Sequence, residues 1–118
     1  MKSEVIVAAA AFLLGGCIAG AEQATRSLSS GVFTAEQAKN GERAYQSRCA
    51  SCHGADLNST DPEAPSLTAG IFSFGWKGKT VAETFEQIRN TMPPGSARSL
   101  DDQTYLDVLT YIFQFFAP

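Results

Sequence analysis

Beyond residue 33 the apolar positions recur at spacings of three, four and seven rather than in strict alternation, and polar or turn-forming stretches separate them into three helical blocks. The first block opens at Thr34-Ala35-Glu36-Gln37, the Thr-x-x-Gln form of a capping box in which each side chain satisfies a free backbone donor. Ala38, Gly41, Ala44, Tyr45 and Cys49 then form one apolar face, predicting a helix to about Arg48. Gly41 is out of place there. A glycine inside a helix costs about 1 kcal/mol relative to alanine, so it either lets another helix approach closely or sits neutrally at an exposed site. Thr80-Val81-Ala82-Glu83 repeats the capping logic, and Val81, Thr84, Phe85 and Ile88 mark the second apolar face. Pro93 disfavours helical geometry at Met92, and Pro93-Pro94-Gly95 cannot continue the helix, so Met92 stands where the chain leaves it. The third helix starts near Ser99 to Asp102 and runs to about Phe115, with Tyr105, Val108, Leu109, Ile112, Phe113 and Phe116 on a broad apolar surface.

Phe72, Phe74 and Trp76 alternate with Ser73, Gly75 and Lys77 as in a half-buried strand, but no second alternating run offers a partner. A lone strand is unstable in water, so residues 70–79 read as a loop whose aromatics turn inward onto something large and flat. Residues 54–69, with Asn58, Ser59, Asp61, Pro62 and Pro65, read as loop. The fold class is therefore all-α: about three main helices with long loops.

Residues 5–21 carry no charge and their apolar heart, residues 5–14, follows Met1, Lys2 and Glu4, which resembles a secretory signal. The apolar core is short for a membrane span, although an uncleaved anchor stays open. Two processing sites compete. Ala19-Gly20-Ala21 fits the small-residue cleavage pattern, whereas Leu14-Gly15-Gly16-Cys17 looks like a lipoprotein signal that would make Cys17 the lipidated first residue. Otherwise Cys17 is incidental to the signal. Three segments follow: 1–21 a signal peptide, 22–32 a flexible leader without apolar periodicity, and 33–118 a single domain. Each route predicts a periplasmic domain, free or anchored to the membrane.

Charge narrows the partners. The formal net charge is −3, and removal of residues 1–21 takes away Lys2 and Glu4 and leaves it there. With no basic face, nucleic acid is not expected as a partner. A domain confined to residues 33–118 also has little core for its surface, so a prosthetic group that joins the core would be valuable.

Cys49-Ala50-Ser51-Cys52-His53 supplies ligands for one. C-x-x-C-H is the attachment signature of c-type haem, in which two thiols add across the two vinyl groups and the next His ligates iron. Two intervening residues let both thiols reach neighbouring edges of one porphyrin while the imidazole swings beneath the metal. His53 is the sole histidine, so it has no rival as that ligand. A bare C-x-x-C also serves in disulfide, thiol-exchange and zinc chemistry. Yet a thioredoxin-like site needs a preceding strand, and zinc would want four ligands where only Cys49, Cys52, His53 and distant Cys17 exist. A disulfide between Cys49 and Cys52 remains the competing reading. For the other face of iron, Met92 is the one methionine besides Met1, held at a proline-enforced helix exit. The alternative is a Met filling an apolar gap. His/Met ligation closes both faces of the iron, which favours electron transfer over oxygen chemistry and raises the potential.

Taken together, the capped helix, Cys49-Ala50-Ser51-Cys52-His53-Gly54, Pro65-Ser66-Leu67, Met92-Pro93-Pro94-Gly95 and the terminal aromatic helix resemble class I cytochrome c over about residues 33–116. The resemblance implies one covalent haem c wrapped by the helices, and a first and last helix crossing with Gly41 and Tyr45 against Val108 and Tyr111. It further implies that the Pro65 carbonyl accepts a hydrogen bond from His53 and that Leu67 packs on the haem. Residues 65–105 look most like the cytochrome domains that accept electrons from quinoprotein dehydrogenases, with Trp76 either donating to a haem propionate or simply packing. The implied function is one-electron transfer between exported redox partners, a quinoprotein dehydrogenase as donor and a terminal oxidase as acceptor, with no enzymatic step. The rivals are a haem subunit of a dehydrogenase or oxidase complex, which a broad exposed aromatic patch at Phe113, Phe115 and Phe116 would favour, and a thiol-disulfide protein.

Overall fold

Thr34 begins the first helix as its local sequence dictates: the Gln37 amide N–H donates to the Thr34 hydroxyl at 3.1 Å while the Gln37 side chain accepts from the Thr34 backbone at 3.0 Å. This computed structural model describes residues 33–68, 70 and 75–116; the signal segment with Cys17, the leader, Phe72 and Phe74 lie outside the described residues. Helix α1 spans Ala35–Arg48. After Cys49 a single turn, α2 (Ala50–His53), carries the C-x-x-C-H motif. Gly54 ends it with φ 85°, a left-handed conformation that favours glycine, and a Cβ there would overlap the Asn58 carbonyl.

Helix α3 (Val81–Thr91) uses the second capping box, with Thr80 N–H donating to the Glu83 carboxylate at 2.7 Å and Glu83 N–H to the Thr80 hydroxyl at 3.2 Å. It stops at Met92, whose extended backbone (φ −119°, ψ 146°) is what the following proline demands. Helix α4 (Asp102–Phe113) is capped by Asp101, whose carboxylate accepts the Thr104 N–H at 2.9 Å. It closes two residues before the expected end, and Phe115 and Phe116 lie in turns bonded back to Ile112 and Phe113. Every regular element among the described residues is helical.

The core lies where α1 crosses α4. A Cβ on Gly41 would overlap the Asp107 carbonyl, so at this point the two backbones touch and only glycine fits. Beside it the Tyr45 and Tyr111 rings pack with centroids 5.2 Å apart, and Tyr45, Val108, Leu109 and Ile112 are buried. This is the crossing that the resemblance implies. The C-terminal aromatics divide: Phe113 is 3% exposed and packs on Phe33, whereas Phe115 is 51% exposed. Because Phe113 faces the core, the broad exposed patch over Phe113, Phe115 and Phe116 does not form.

The loop expected over residues 70–79 differs at Gly75 and Trp76, which are helical. The turn is closed by the Lys79 N–H on the Trp76 carbonyl at 3.0 Å, with Gly78 at φ 84°.

Candidate haem site

A cavity of about 440 Å³ opens between α2, the end of α3 and α4, within the size range of cofactor sites. Its inner surface comes from buried Tyr105, Val108 and Ile112, while the charged lining residues Arg48, Asp61 and Glu63 are exposed. The chamber is therefore apolar within and charged at its mouth. Cys49, Cys52, His53 and Met92 all line it, brought together from α2 and the end of α3 across some forty residues of chain. Pro65, Leu67 and Trp76 line it too.

His53 is set by its neighbour. Its Nδ1 lies 2.8 Å from the Pro65 carbonyl oxygen, which can only accept, so Nδ1 bears the hydrogen of this bond and Nε2 takes no part in it. The Pro65 carbonyl thus fixes the orientation of the imidazole. The Pro65 segment is itself fastened: Ser59 N–H donates to the Ser66 hydroxyl at 2.9 Å, Leu67 N–H to the Leu57 carbonyl at 2.8 Å, and the Ser59 hydroxyl to the Cys52 carbonyl at 2.8 Å. Leu57 is buried with φ 66°, an uncommon conformation for a leucine that turns the loop back toward α2. On the other side of α2, the Tyr45 hydroxyl donates to the Gly54 carbonyl at 2.7 Å. Burial, then the nearby Cys49 thiol, raise the Tyr45 phenol far above its ordinary value, so it stays a donor.

The two thiols are not joined to each other. Burial, and secondarily the Cys52 thiol, push Cys49 up to about 11. A redox-active C-x-x-C needs a thiol shifted the opposite way, so this environment does not suit thiol exchange.

Met92 is held at both ends of its residue. Its N–H donates to the Ile88 carbonyl at 2.8 Å, and its carbonyl accepts the Tyr105 hydroxyl at 2.8 Å. The Met92–Pro93 peptide is cis, and Ser96 N–H closes the following turn on the Pro93 carbonyl at 2.9 Å. Trp76 sits beneath the Lys79 ammonium, 5.0 Å from its ring centroid, and Lys79 also donates to Gln87 at 2.6 Å.

The donor set fits haem. Two free thiols, one imidazole and one thioether border an apolar slot, and no group of three or more His, Cys, Asp or Glu suited to a bare metal ion exists among the described residues. Sequence reasoning missed the role of Tyr105, which lines the cavity, and of Leu57 and Ser59, which fasten the loop that carries Pro65. Tyr105 carried a signal, since a buried tyrosine in an otherwise aliphatic and phenylalanine face needs a partner for its hydroxyl.

Helical wrapping around this slot and the C-x-x-C-H turn define a class I c-type cytochrome, and its cofactor is covalently bound haem c. Residues 36–112 match the family model described as cytochrome c oxidase, cbb3-type, subunit III, and the chain belongs to that family. It is 28% identical over 83 residues to the cbb3-type cytochrome c oxidase subunit CcoP of Azospirillum brasilense, an overlap covering 66% of this chain. The overlap spans 28% of that protein's length. No solved structure matches the chain. Its role is haem-based electron transfer.

Proposed function

We propose that the protein is a one-electron carrier in which Cys49 and Cys52 would hold the haem by thioethers and His53 Nε2 and the Met92 sulfur would ligate its iron. The observation that carries this reading is a cavity bordered at once by both thiols, by Met92 and by a His53 whose Nδ1 is already committed to Pro65. The haem supplies a reversible one-electron couple. The chain's part is to hold His53 through its Nδ1 and Met92 through its backbone, so that little would move on electron transfer and small ligands would be kept from the iron. No substrate bond is made or broken. Trp76 and Leu67 enclose the cofactor as packing groups.

A terminal oxidase as acceptor is supported by the oxidase name of the relative, and a quinoprotein dehydrogenase as donor by the resemblance of residues 65–105. A second reading, a fixed subunit of an oxidase complex, is favoured by the same relative, although the broad aromatic patch that would speak for it does not form. The domain works outside the cytoplasm, with Cys17 as the lipid attachment point. No helix among the described residues is long and apolar enough to cross a membrane.

Mass spectrometry and a redox titration of the protein expressed with haem maturation test the reading. The expected result is one covalent haem, a reversible one-electron midpoint and no carbon monoxide binding by the native ferrous form. Carbon monoxide binding by the native protein would show an open iron and end the carrier model, and purification within a larger assembly would favour the subunit reading.

A further inference from the structure

Met92 leaves α3 into two prolines, and that sequence removes the usual partners of its carbonyl. The last carbonyls of a helix lack intrahelical donors. Pro93 and Pro94 have no N–H to give, and the Ser96 N–H is used on the Pro93 carbonyl at 2.9 Å. The Met92 carbonyl is met from another element, by the hydroxyl of Tyr105, a residue 2% exposed, at 2.8 Å. With the Met92 N–H on Ile88 at 2.8 Å, both peptide groups flanking the Met92 Cα are bonded, which fixes the direction of its Cα–Cβ bond. The thioether then has only its own side-chain torsions to search.

We propose that the Tyr105 hydroxyl is a positioning group that holds Met92 ready for iron, a role that rests on Met92 being the distal ligand as given above. Its action runs through one backbone carbonyl and not through the cofactor. The Arg89–Asp102 ion pair at 2.8 Å also joins α3 to α4, but it lies nearer the surface and touches neither peptide of Met92. Releasing one buried hydrogen bond of this kind should shift the balance toward a detached thioether about fivefold, which corresponds to about 1 kcal/mol at 1.4 kcal/mol per tenfold.

The experiment measures imidazole affinity of the ferric holoprotein, together with the thioether-to-iron charge-transfer absorption, in the full chain and four variants. Tyr105→Phe keeps the ring and removes the hydroxyl; it should bind imidazole about fivefold more tightly and weaken the charge-transfer band. Tyr111→Phe makes the same chemical change on the same helix at a residue that does not line the cavity, and should leave both unchanged. Met92→Ala should bind imidazole much more tightly than either, and adding Tyr105→Phe to it should change nothing further.

The outcomes separate cleanly. If Met92→Ala binds imidazole no better than the native protein, Met92 is not the ligand and the carrier reading above fails. If Met92→Ala opens the iron while Tyr105→Phe is silent, only the positioning role is overturned. An equal effect in Tyr111→Phe, or a persisting Tyr105 effect in the Met92→Ala background, would make the change one of general packing and also overturn it. So would loss of holoprotein in Tyr105→Phe but not in Met92→Ala, since a group acting through Met92 cannot matter more than Met92.

Discussion

Replacing Gly41 with alanine would place a methyl group inside the backbone of α4. In an exposed helix the change should stabilise by about 1 kcal/mol, because glycine loses more backbone freedom on folding. Here the added Cβ would overlap the Asp107 carbonyl and come within 2.9 Å of the Val108 nitrogen. Both obstacles are main chain, so no rotamer change relieves them and the two helices must move apart. Overpacking of this sort costs about 1–3 kcal/mol, and separation would also loosen the seam formed by Tyr45, Leu109 and Tyr111. The geometric term outweighs propensity, and we expect a net loss of about 2 kcal/mol against a total on the order of 5–15 kcal/mol. Urea unfolding of the holoprotein followed by far-ultraviolet circular dichroism should show a midpoint lower by about 1 M, from a slope of about 2 kcal/mol/M. Glu42→Ala, one residue on and exposed, should change stability by less than about 0.5 kcal/mol. A Gly41→Ala protein as stable as the native one would refute the backbone contact on which the crossing is argued.

Met92→Ala should retain covalent haem while its midpoint potential falls by on the order of 100 mV, within the about 0.8 V range that axial ligation spans, and carbon monoxide should now bind the ferrous form. His53→Ala should yield little or no holoprotein on a haem-stained gel, because the residue proposed as the iron's proximal ligand is removed. Cys17→Ser should move the protein from the membrane to the soluble fraction with its haem spectrum intact; a wild-type chain that is soluble and begins at Glu22 would contradict this. The Glu83 carboxyl is held below its ordinary value of 4.5, first by the Thr80 backbone N–H and then by the Thr80 hydroxyl. A depressed folded value gives stability that is present above 4.5 and lost as pH falls through the folded value. Glu83→Gln should therefore flatten the acid side of the stability profile, and an unchanged slope in urea midpoints against pH would count against the capping role.

How much of the fold is legible in the sequence depends on the range of the interaction. Both capping boxes and the helix exit at Met92 are decided within four residues, and Thr34, Thr80 and Met92 stand where their local sequences put them. C-x-x-C-H is equally local. The helix crossing needs the resemblance, because Gly41 alone is consistent with close packing or with an exposed site; the Asp107 carbonyl decides between them. Residues 57–67 are legible only as loop, since the bonds that fasten them, Ser59 to Cys52 and Leu57 to Leu67, join side chain or backbone groups that follow no periodic rule. Gly75 and Trp76 go the other way: they read as loop in the sequence and are helical.

Tyr105 marks the boundary between these cases. Its place on the apolar face of the last helix is local information, whereas its partner lies thirteen residues back, in another element. Half of that bond is nonetheless present in the sequence as a deficit. Met92-Pro93-Pro94 ends a helix with a carbonyl that the next two residues cannot serve, and a hydroxyl-bearing ring occurs on a face that otherwise buries Val108, Leu109 and Ile112. A buried acceptor without a local donor and a buried donor without a local acceptor each cost roughly 1–3 kcal/mol if left unmet. Matching such deficits along a chain predicts a long-range contact from chemistry alone. Because one of the paired residues carries the sulfur proposed for iron, the contact it predicts bears on the chemistry of the haem as well as on the fold.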